Sequence, residues 1–313
     1  MNLLASMRYL LALNEHRHFG RAAQACHITQ PALSNALKAL EQEFGVTIVQ
    51  RSRTYAGLTH EGERVLQTAQ RMVRERELLQ EELNSGASRP QGSLRLGAVP
   101  TAIPVLARFA AVLHARHPGI APVVRSMSSP EIESELDGLS LDLGLGYTDR
   151  LGERGLRLEA LPQYTERYYF VARATQMPHA GSPPARATMP WGEAAAYPLC
   201  LLTAEMHNRT IVDSAFAIAG VQVKPALETD SVLALALSVV AGRTATILPA
   251  ALLDILRGWP ELACFPMAGP DVQTPMGFLL NPAMRFSRVL QAALDLARED
   301  AWRQQALGLG TAG

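Results

Sequence analysis

The chain has 313 residues, in which 29 Lys and Arg balance 29 Asp and Glu, with 48% hydrophobic residues, 6% aromatic residues and three Cys. That length exceeds what one core holds, so two or three domains are expected, and overall neutrality excludes a nucleoid-type DNA coat held by bulk charge. Unpaired cysteine spacing predicts reduced thiols in a cytoplasm, the longest apolar run (232–242) is shorter than the about 20 residues of a membrane span, and no basic-then-apolar leader opens the chain.

Leu3, Leu4, Met7, Leu10 and Leu11 recur with a helical period and predict a first helix. Residues 19–40 then read as two short amphipathic helices joined by a tight connection. Ala22, Ala23 and Cys26 form the apolar stripe of the first of these, and small residues (Ala22, Ala23, Ala32) let the pair cross closely. Thr29 suits an N-cap, and Pro31 falls in the first turn, where its missing N–H costs nothing. The second helix buries Leu33, Ala36, Leu37 and Leu40 and turns Gln30, Ser34, Asn35 and Lys38 outward. Two readings follow: a helix-turn-helix whose second helix enters the DNA major groove, or a helical hairpin with a solvated face.

The stretches 46–53 and 54–59 predict two short strands around a turn at Gly57, a wing that carries Arg51 and Arg53. Residues 1–60 hold six Lys and Arg against three Glu, so the modest positive charge sits at one end of the chain, as phosphate contact requires. Residues 59–84 predict one long polar helix capped by Thr59. Along it Val65, Ala69, Met72, Arg76, Leu79 and Leu83 repeat at spacings of 4, 3, 4, 3 and 4. This is a coiled-coil rhythm interrupted by Arg76, suited to pairing with a second copy or to lying on its own domain. Residues 84–92 break the helix as a linker or hinge.

Beyond the hinge the pattern alternates: strand 93–99, helix 103–117, strand 121–126, helix 130–138 and strand 141–147, which predicts a parallel sheet. Strands at 168–174 and 197–202, helices at 209–219 and 232–241 and a strand at 244–248 suggest a second lobe. Phe278 and the helix 286–302 return to the first. Ligands in such sheets bind beyond the carboxyl ends of strands. Thr101 and Ser129 stand at such ends, just where helices begin, and Thr203 stands at one in the second lobe. Each hydroxyl is suited either to an anion or to capping a helix. His207 and Arg209 offer positive charge nearby or simply lie on the surface.

The run from Met7 through Phe19, Ala22-Ala23, Thr29-Gln-Pro-Ala-Leu-Ser, Leu40-Glu-Gln-Glu-Phe-Gly and Arg51 to Leu58-Thr-His-Glu-Gly closely resembles the winged helix-turn-helix of LysR-type transcriptional regulators. The resemblance implies an α/β chain with an all-α-type winged helix-turn-helix at residues 1–60. It further implies a linker and dimerisation helix at 61–85, a hinge at 86–92 and a two-lobed effector domain at 93–305, similar in fold to periplasmic binding proteins. Lobe I would take about 93–162 and 267–305, lobe II about 163–266, and 306–313 would be a disordered tail. The family's recognition helix falls on Gln30 to Lys38, with Thr29 on a phosphate and Gln30, Pro31 and Ser34 near bases. Relatives carry Arg or Lys where this chain has Asn35, a residue able to pair with adenine. Thr101 and Ser129 match positions that contact small carboxylates in relatives, and Thr203 is matched with them.

No catalytic constellation stands beside this. The eight histidines form no HExxH, there is no CxxC, no GxSxG elbow, no Walker loop and no GxGxxG after a strand. His16 and His18 read as surface residues, Cys200 as a packed strand residue and Cys26 as a helix-turn-helix core residue, while Cys264 has no assignable role. The expected protein is therefore a cytoplasmic homodimeric or homotetrameric regulator, not an enzyme, without metal or cofactor. Its partners would be promoter DNA, a small anionic effector, its own copies and RNA polymerase, and no membrane. The alternative is a solute-binding module or transferase of the same two-lobed fold.

Overall fold

The computed structural model describes residues 2–51, 55–84, 90–152, 157–176, 188–256, 258–284 and 287–308. They group into two compact units, one built on Met1–Ser88 and one on Arg89–Leu136 with Leu141–Gly313.

The first unit opens with α1 (Leu3–His16), α2 (Phe19–Ala25) and α3 (Gln30–Phe44). Asn2 and Thr29 cap α1 and α3 by accepting from Ala5 N and Ala32 N. His18, expected only as a surface residue, caps α2: its Nδ1 accepts from the Gly20 and Arg21 amides. Gly45, at φ 66°, ends α3 in the left-handed region that glycine adopts without strain. Strands β1 (Val49–Arg51) and β2 (Tyr55–Leu58) pair antiparallel. Gly57 therefore lies inside β2 and not at the expected turn. The connection, with Arg53, falls at 52–54, outside the described residues.

α4 (His60–Asn84) follows, with Thr59 Oγ1 accepting from Gly62 N at 2.9 Å. The core of this unit joins Met7, Leu10, Leu13, Ala22, Ala23, Leu33, Leu37 and Leu40 to Ile48, Val49, Ala69 and Val73, so it extends past residue 60 into α4. Cys26 is half-buried beyond the end of α2 and Ala32 is exposed, so neither belongs to the packed stripe; Ala22 and Ala23 alone let the helices approach. The expected α4 stripe divides likewise. Val65 and Ala69 pack in this core, whereas Met72, Leu79 and Leu83 are exposed.

The second unit begins with β3 (Gly92–Ala98), α5 (Ile103–Arg116), β4 (Ile120–Ser126), α6 (Ser129–Asp137) and β5 (Leu143–Tyr147). β3 pairs parallel with both β4 and β5, as the alternating pattern predicts. Since Gly92 already opens β3, the expected hinge loses its last residue to the sheet; 85–89 lie outside the described residues. The fully buried Asp142 accepts from Arg95 N at 2.7 Å and receives its guanidinium, which ties the entrance of β5 to β3.

β6 (Glu159–Arg173) is far longer than the expected strand at 168–174. After it come β7 (Met189–Pro190), α7 (Trp191–Ala194), β8 (Leu199–Leu202), α8 (His207–Ile218), β9 (Leu227–Thr229), α9 (Val232–Ala241), β10 (Ala245–Pro249), α10 (Leu253–Leu256), β11 (Leu262–Ala268) and β12 (Gln273–Leu280). The strand order is β4-β3-β5-β12-β6-β10-β8-β9, with β11 also on β6 and β7 on β11. Residues 159–167 of β6 pair with β12 in lobe I, and 168–173 pair with β10 and β11 in lobe II. The expected lobe border at 162/163 thus falls inside one continuous strand. The expected helix 286–302 is two, α11 (Arg288–Arg298) and α12 (Asp300–Gly308), broken at Glu299, whose backbone is extended; α12 runs into the expected tail, and 309–313 lie outside the described residues.

A Cβ on Gly62 would collide with the Ile48 carbonyl oxygen, where the first turn of α4 meets β1. Gly62→Ala is expected to destabilise the first unit by about 1–3 kcal/mol, the usual cost of overpacking against backbone. Denaturant unfolding of the variant checks this.

Candidate functional site

In the first unit, α3 divides cleanly between core and solvent. Leu33, Leu37 and Leu40 are buried, while Gln30, Pro31, Asn35 and Lys38 are exposed and Ser34 is half-exposed. This is the outward polar face that groove reading needs. Thr29 is exposed at its start, with its hydroxyl already committed to the Ala32 amide. Arg51 ends β1, and Arg53 lies outside the described residues. Sequence reasoning missed Glu41. From α3 its Oε1 accepts the Ile48 and Val49 amides at 3.0 and 3.1 Å and so fixes β1 to α3.

In the second unit, a small cavity of about 10 Å³ opens between the lobes, room for roughly one water. Lobe I lines it with Val99, Pro100, Thr101, Ser128, Ser129 and Tyr147, and lobe II with Leu202, Met206, His207 and Asn208. Thr101 and Ser129 are thus brought together. The buried Thr101 hydroxyl lies 3.3 Å from the Tyr147 hydroxyl, and the buried Ser129 hydroxyl has no hydrogen-bond partner among the described residues. Ser128 is committed elsewhere: its amide and hydroxyl both donate to Glu131, a capping box at the start of α6. Thr203 is not among the lining residues. Its amide donates to the Thr229 carbonyl, and Met206, His207 and Asn208 face the cavity in its stead.

The charges are arranged differently from expectation. Arg209 is structural, held by both oxygens of Asp213, by Glu228 and by the Leu202 carbonyl. The cation beside the cavity is Arg150, which the sequence did not single out because it follows β5 in an irregular segment. Arg150 contacts Glu133 of α6 at 3.5 Å and His207 Nδ1 at 3.0 Å, so it links lobe I to lobe II. A guanidinium only donates, so His207 Nδ1 is the acceptor in this contact. The same ring packs edge-on against Tyr147 with centroids 4.7 Å apart. Behind Tyr147, the fully buried Glu166 carboxyl is pushed up to about 8 by desolvation, with only the Tyr164 hydroxyl to oppose it.

Among the described residues, no group of three His, Cys, Asp or Glu is placed to hold a metal ion, and no helix is long and apolar enough to cross a membrane.

Comparison with known proteins places this geometry. Residues 4–63 match the bacterial regulatory helix-turn-helix protein model of the lysR family, and residues 87–302 match the LysR substrate binding domain. The chain is 32% identical over 143 residues to the hydrogen peroxide-inducible genes activator of Pectobacterium carotovorum, a match covering 45% of this chain and 47% of that protein. It is 38% identical over 125 residues to the SDS degradation transcriptional activation protein of a Pseudomonas species, covering 38% and 40%. The matched region spans about half the length of the curated relatives or less. Full-length OxyR from Pseudomonas aeruginosa superposes with a TM-score of 0.71 at 23% identity, covering 94% of this chain and 97% of that one. Full-length CbnR, solved with its target DNA, gives 0.66 at 20%, covering 94% and 98%. These structural likenesses are of fold: an N-terminal helix-turn-helix joined to a two-lobed substrate-binding domain. With its larger unit matched almost throughout and residues 4–63 matched as well, the chain belongs to the LysR family.

Proposed function

We propose that this protein is a DNA-binding transcriptional regulator whose promoter binding is gated by a small effector in the inter-lobe cavity. The observation that carries the reading is the division of α3: apolar residues sunk in the core, Gln30, Pro31, Asn35 and Lys38 presented to solvent, and Ser34 at the margin. Under it, Thr29 and Lys38 contact phosphate, as do Arg51 and Arg53 of the wing, while Gln30, Pro31, Ser34 and Asn35 meet base edges. The exposed Met72, Leu79 and Leu83 of α4 supply the seam for a second copy, which brings two recognition helices to a two-part operator. RNA polymerase would be the further partner at the promoter, in the cytoplasm, and the protein would act by binding and not by catalysis.

The effector half of the reading rests on buried hydroxyls at helix starts. Thr101 and Ser129 present hydroxyls at helix starts, with Arg150 close by, which suits a compact anion. Occupation of a cavity lined by both lobes would favour one inter-lobe angle over another.

The Pectobacterium relative's name, an activator of hydrogen peroxide-inducible genes, raises a thiol switch as the other reading. The sheet argues against it. Cys200 pairs with Thr246, Thr246 with Val171 and Val171 with Cys264, so the two thiols of this unit stand three strands apart. At about 4.8 Å per strand that is roughly 14 Å, well beyond disulfide reach. Burial also pushes the Cys200 thiol up, away from the reactive thiolate, whereas Cys264 is exposed.

Three outcomes test the proposal. Gln30→Ala, or Ser34 replaced by a bulky residue, should reduce discrimination between operator and random DNA by about 1–3 kcal/mol per lost base contact, read by gel-shift at fixed salt; operator binding unchanged in a folded Ser34 variant would place the reading face elsewhere. Leu79→Glu should shift the full chain toward monomer in sedimentation and lower operator affinity far more than non-specific affinity. Thr101→Val keeps shape but removes a donor, and should cost about 1–3 kcal/mol of affinity for small carboxylates in calorimetry, with effector-free DNA binding untouched.

A further inference from the structure

Two buried polar groups line the small inter-lobe cavity from opposite lobes without a partner. Ser129, the first residue of α6, is 7% exposed, and Asn208, in the first turn of α8, is 6% exposed. Neither the Ser129 hydroxyl nor the Asn208 amide nitrogen has a hydrogen-bond partner among the described residues. Both residues belong to the cavity wall. One orphaned buried donor costs free energy; two in the wall of one space mark where a ligand would complete what the fold leaves unmade.

The space is short of acceptors. Its polar lining is the hydroxyls of Thr101, Ser128, Ser129 and Tyr147, the His207 ring and the Asn208 amide, and no described Asp or Glu belongs to it. The Thr101 and Tyr147 hydroxyls lie 3.3 Å apart. The Asn208 amide favours negative charge on the Tyr147 oxygen but makes no hydrogen bond to it. The carboxylates of α6 are all engaged: Glu131 with Ser128, Glu133 with Arg150 and Glu135 with Arg125. α8 starts after Met206 with no side-chain cap, so it turns an uncapped positive end to the cavity through His207 and Asn208.

Size decides the rest. At about 10 Å³ the cavity has room for one water-sized body, so a carboxylate, sulfate or phosphate does not enter the lobes as they stand. A water fits, but it must place two protons of its own where the uncommitted groups are donors. A monatomic anion accepts from every side and donates nothing. We propose that the cavity is a halide site, with chloride held between Ser129 of α6 and Asn208 of α8. The ion takes one hydrogen bond from each lobe, while the start of α8 supplies the positive field. Chloride thereby favours the present arrangement of the lobes, and a carboxylate effector competes with it by opening them. This rests on the reading of the cavity as an anion-gated site and names the anion that the cavity takes before the lobes move.

The experiment is the chlorine NMR linewidth of sodium chloride with the full chain, at fixed ionic strength. Saturable excess broadening is expected, removed by bromide, poorly by the larger iodide and not by sulfate. Ser129→Ala removes one donor, and Asn208→Asp sets a carboxyl in place of the other. Each should weaken chloride by about tenfold or more. Ser129→Ala, the milder change, carries the test where circular dichroism shows Asn208→Asp unfolded. Thr203→Val is the control: that hydroxyl is also buried without a partner but lies outside the cavity lining, so broadening should persist. Broadening absent from the parent, undiminished in the folded site variants, or displaced by sulfate as readily as by bromide would overturn the proposal. Small carboxylates that bind the parent and lose affinity in Thr101→Val would in that case leave the effector reading standing. Binding of neither halide nor carboxylate would overturn both.

Discussion

The fifteen residues of β6 hold the second unit together. Their first half is hydrogen-bonded to β12 and their second to β10 and β11, so two lobes with separate helices and cores share one run of backbone. A strand so paired cannot shift register without turning each side chain to the opposite face. That constraint determines which residues meet at the junction of the lobes. It places Tyr164, Glu166 and Tyr168 on the face that reaches Tyr147, and Gln163 on the other, where it bonds Trp302 and the Ala297 carbonyl.

Polar groups buried along that junction fall into two kinds. Some are saturated and structural: Asp142 on Arg95, Arg209 on Asp213 and Glu228, Ser128 on Glu131. Others lack partners among the described residues, the Ser129 and Thr203 hydroxyls, the Asn208 amide nitrogen and one oxygen of Glu166 among them. Removing a polar group from water without replacing its hydrogen bonds costs free energy, so saturated groups explain the architecture and unsaturated ones point to what is absent from it. This separates Arg209, which sequence proximity offered as an anion ligand, from Ser129, which remains one.

The first unit of the chain was largely legible in its residues. Leu33, Leu37 and Leu40 recur within one helix, Thr29 caps it, Gly45 ends it, and each signal acts within four positions of itself. The α4 stripe was legible as a rhythm but not as a division, because whether Ala69 faces its own domain and Leu79 solvent depends on which elements lie alongside. Gly57 misled for a similar reason: a glycine that ordinarily marks a turn here sits within β2. The break at Glu299 gave no comparable local signal.

Local periodicity, caps and strand ends determined the helix-turn-helix, the parallel half-sheet and the positions of Thr101 and Ser129, since these depend on neighbours a few residues away. Only the tertiary structure decided the full span of β6, the pairing of Arg150 with His207, the capture of Arg209 by its acidic partners and the isolation of Glu166. Each of these joins residues far apart in the chain or turns on the total of what surrounds a side chain. Strand pairing and desolvation are set by the closed fold, and no window of sequence contains them.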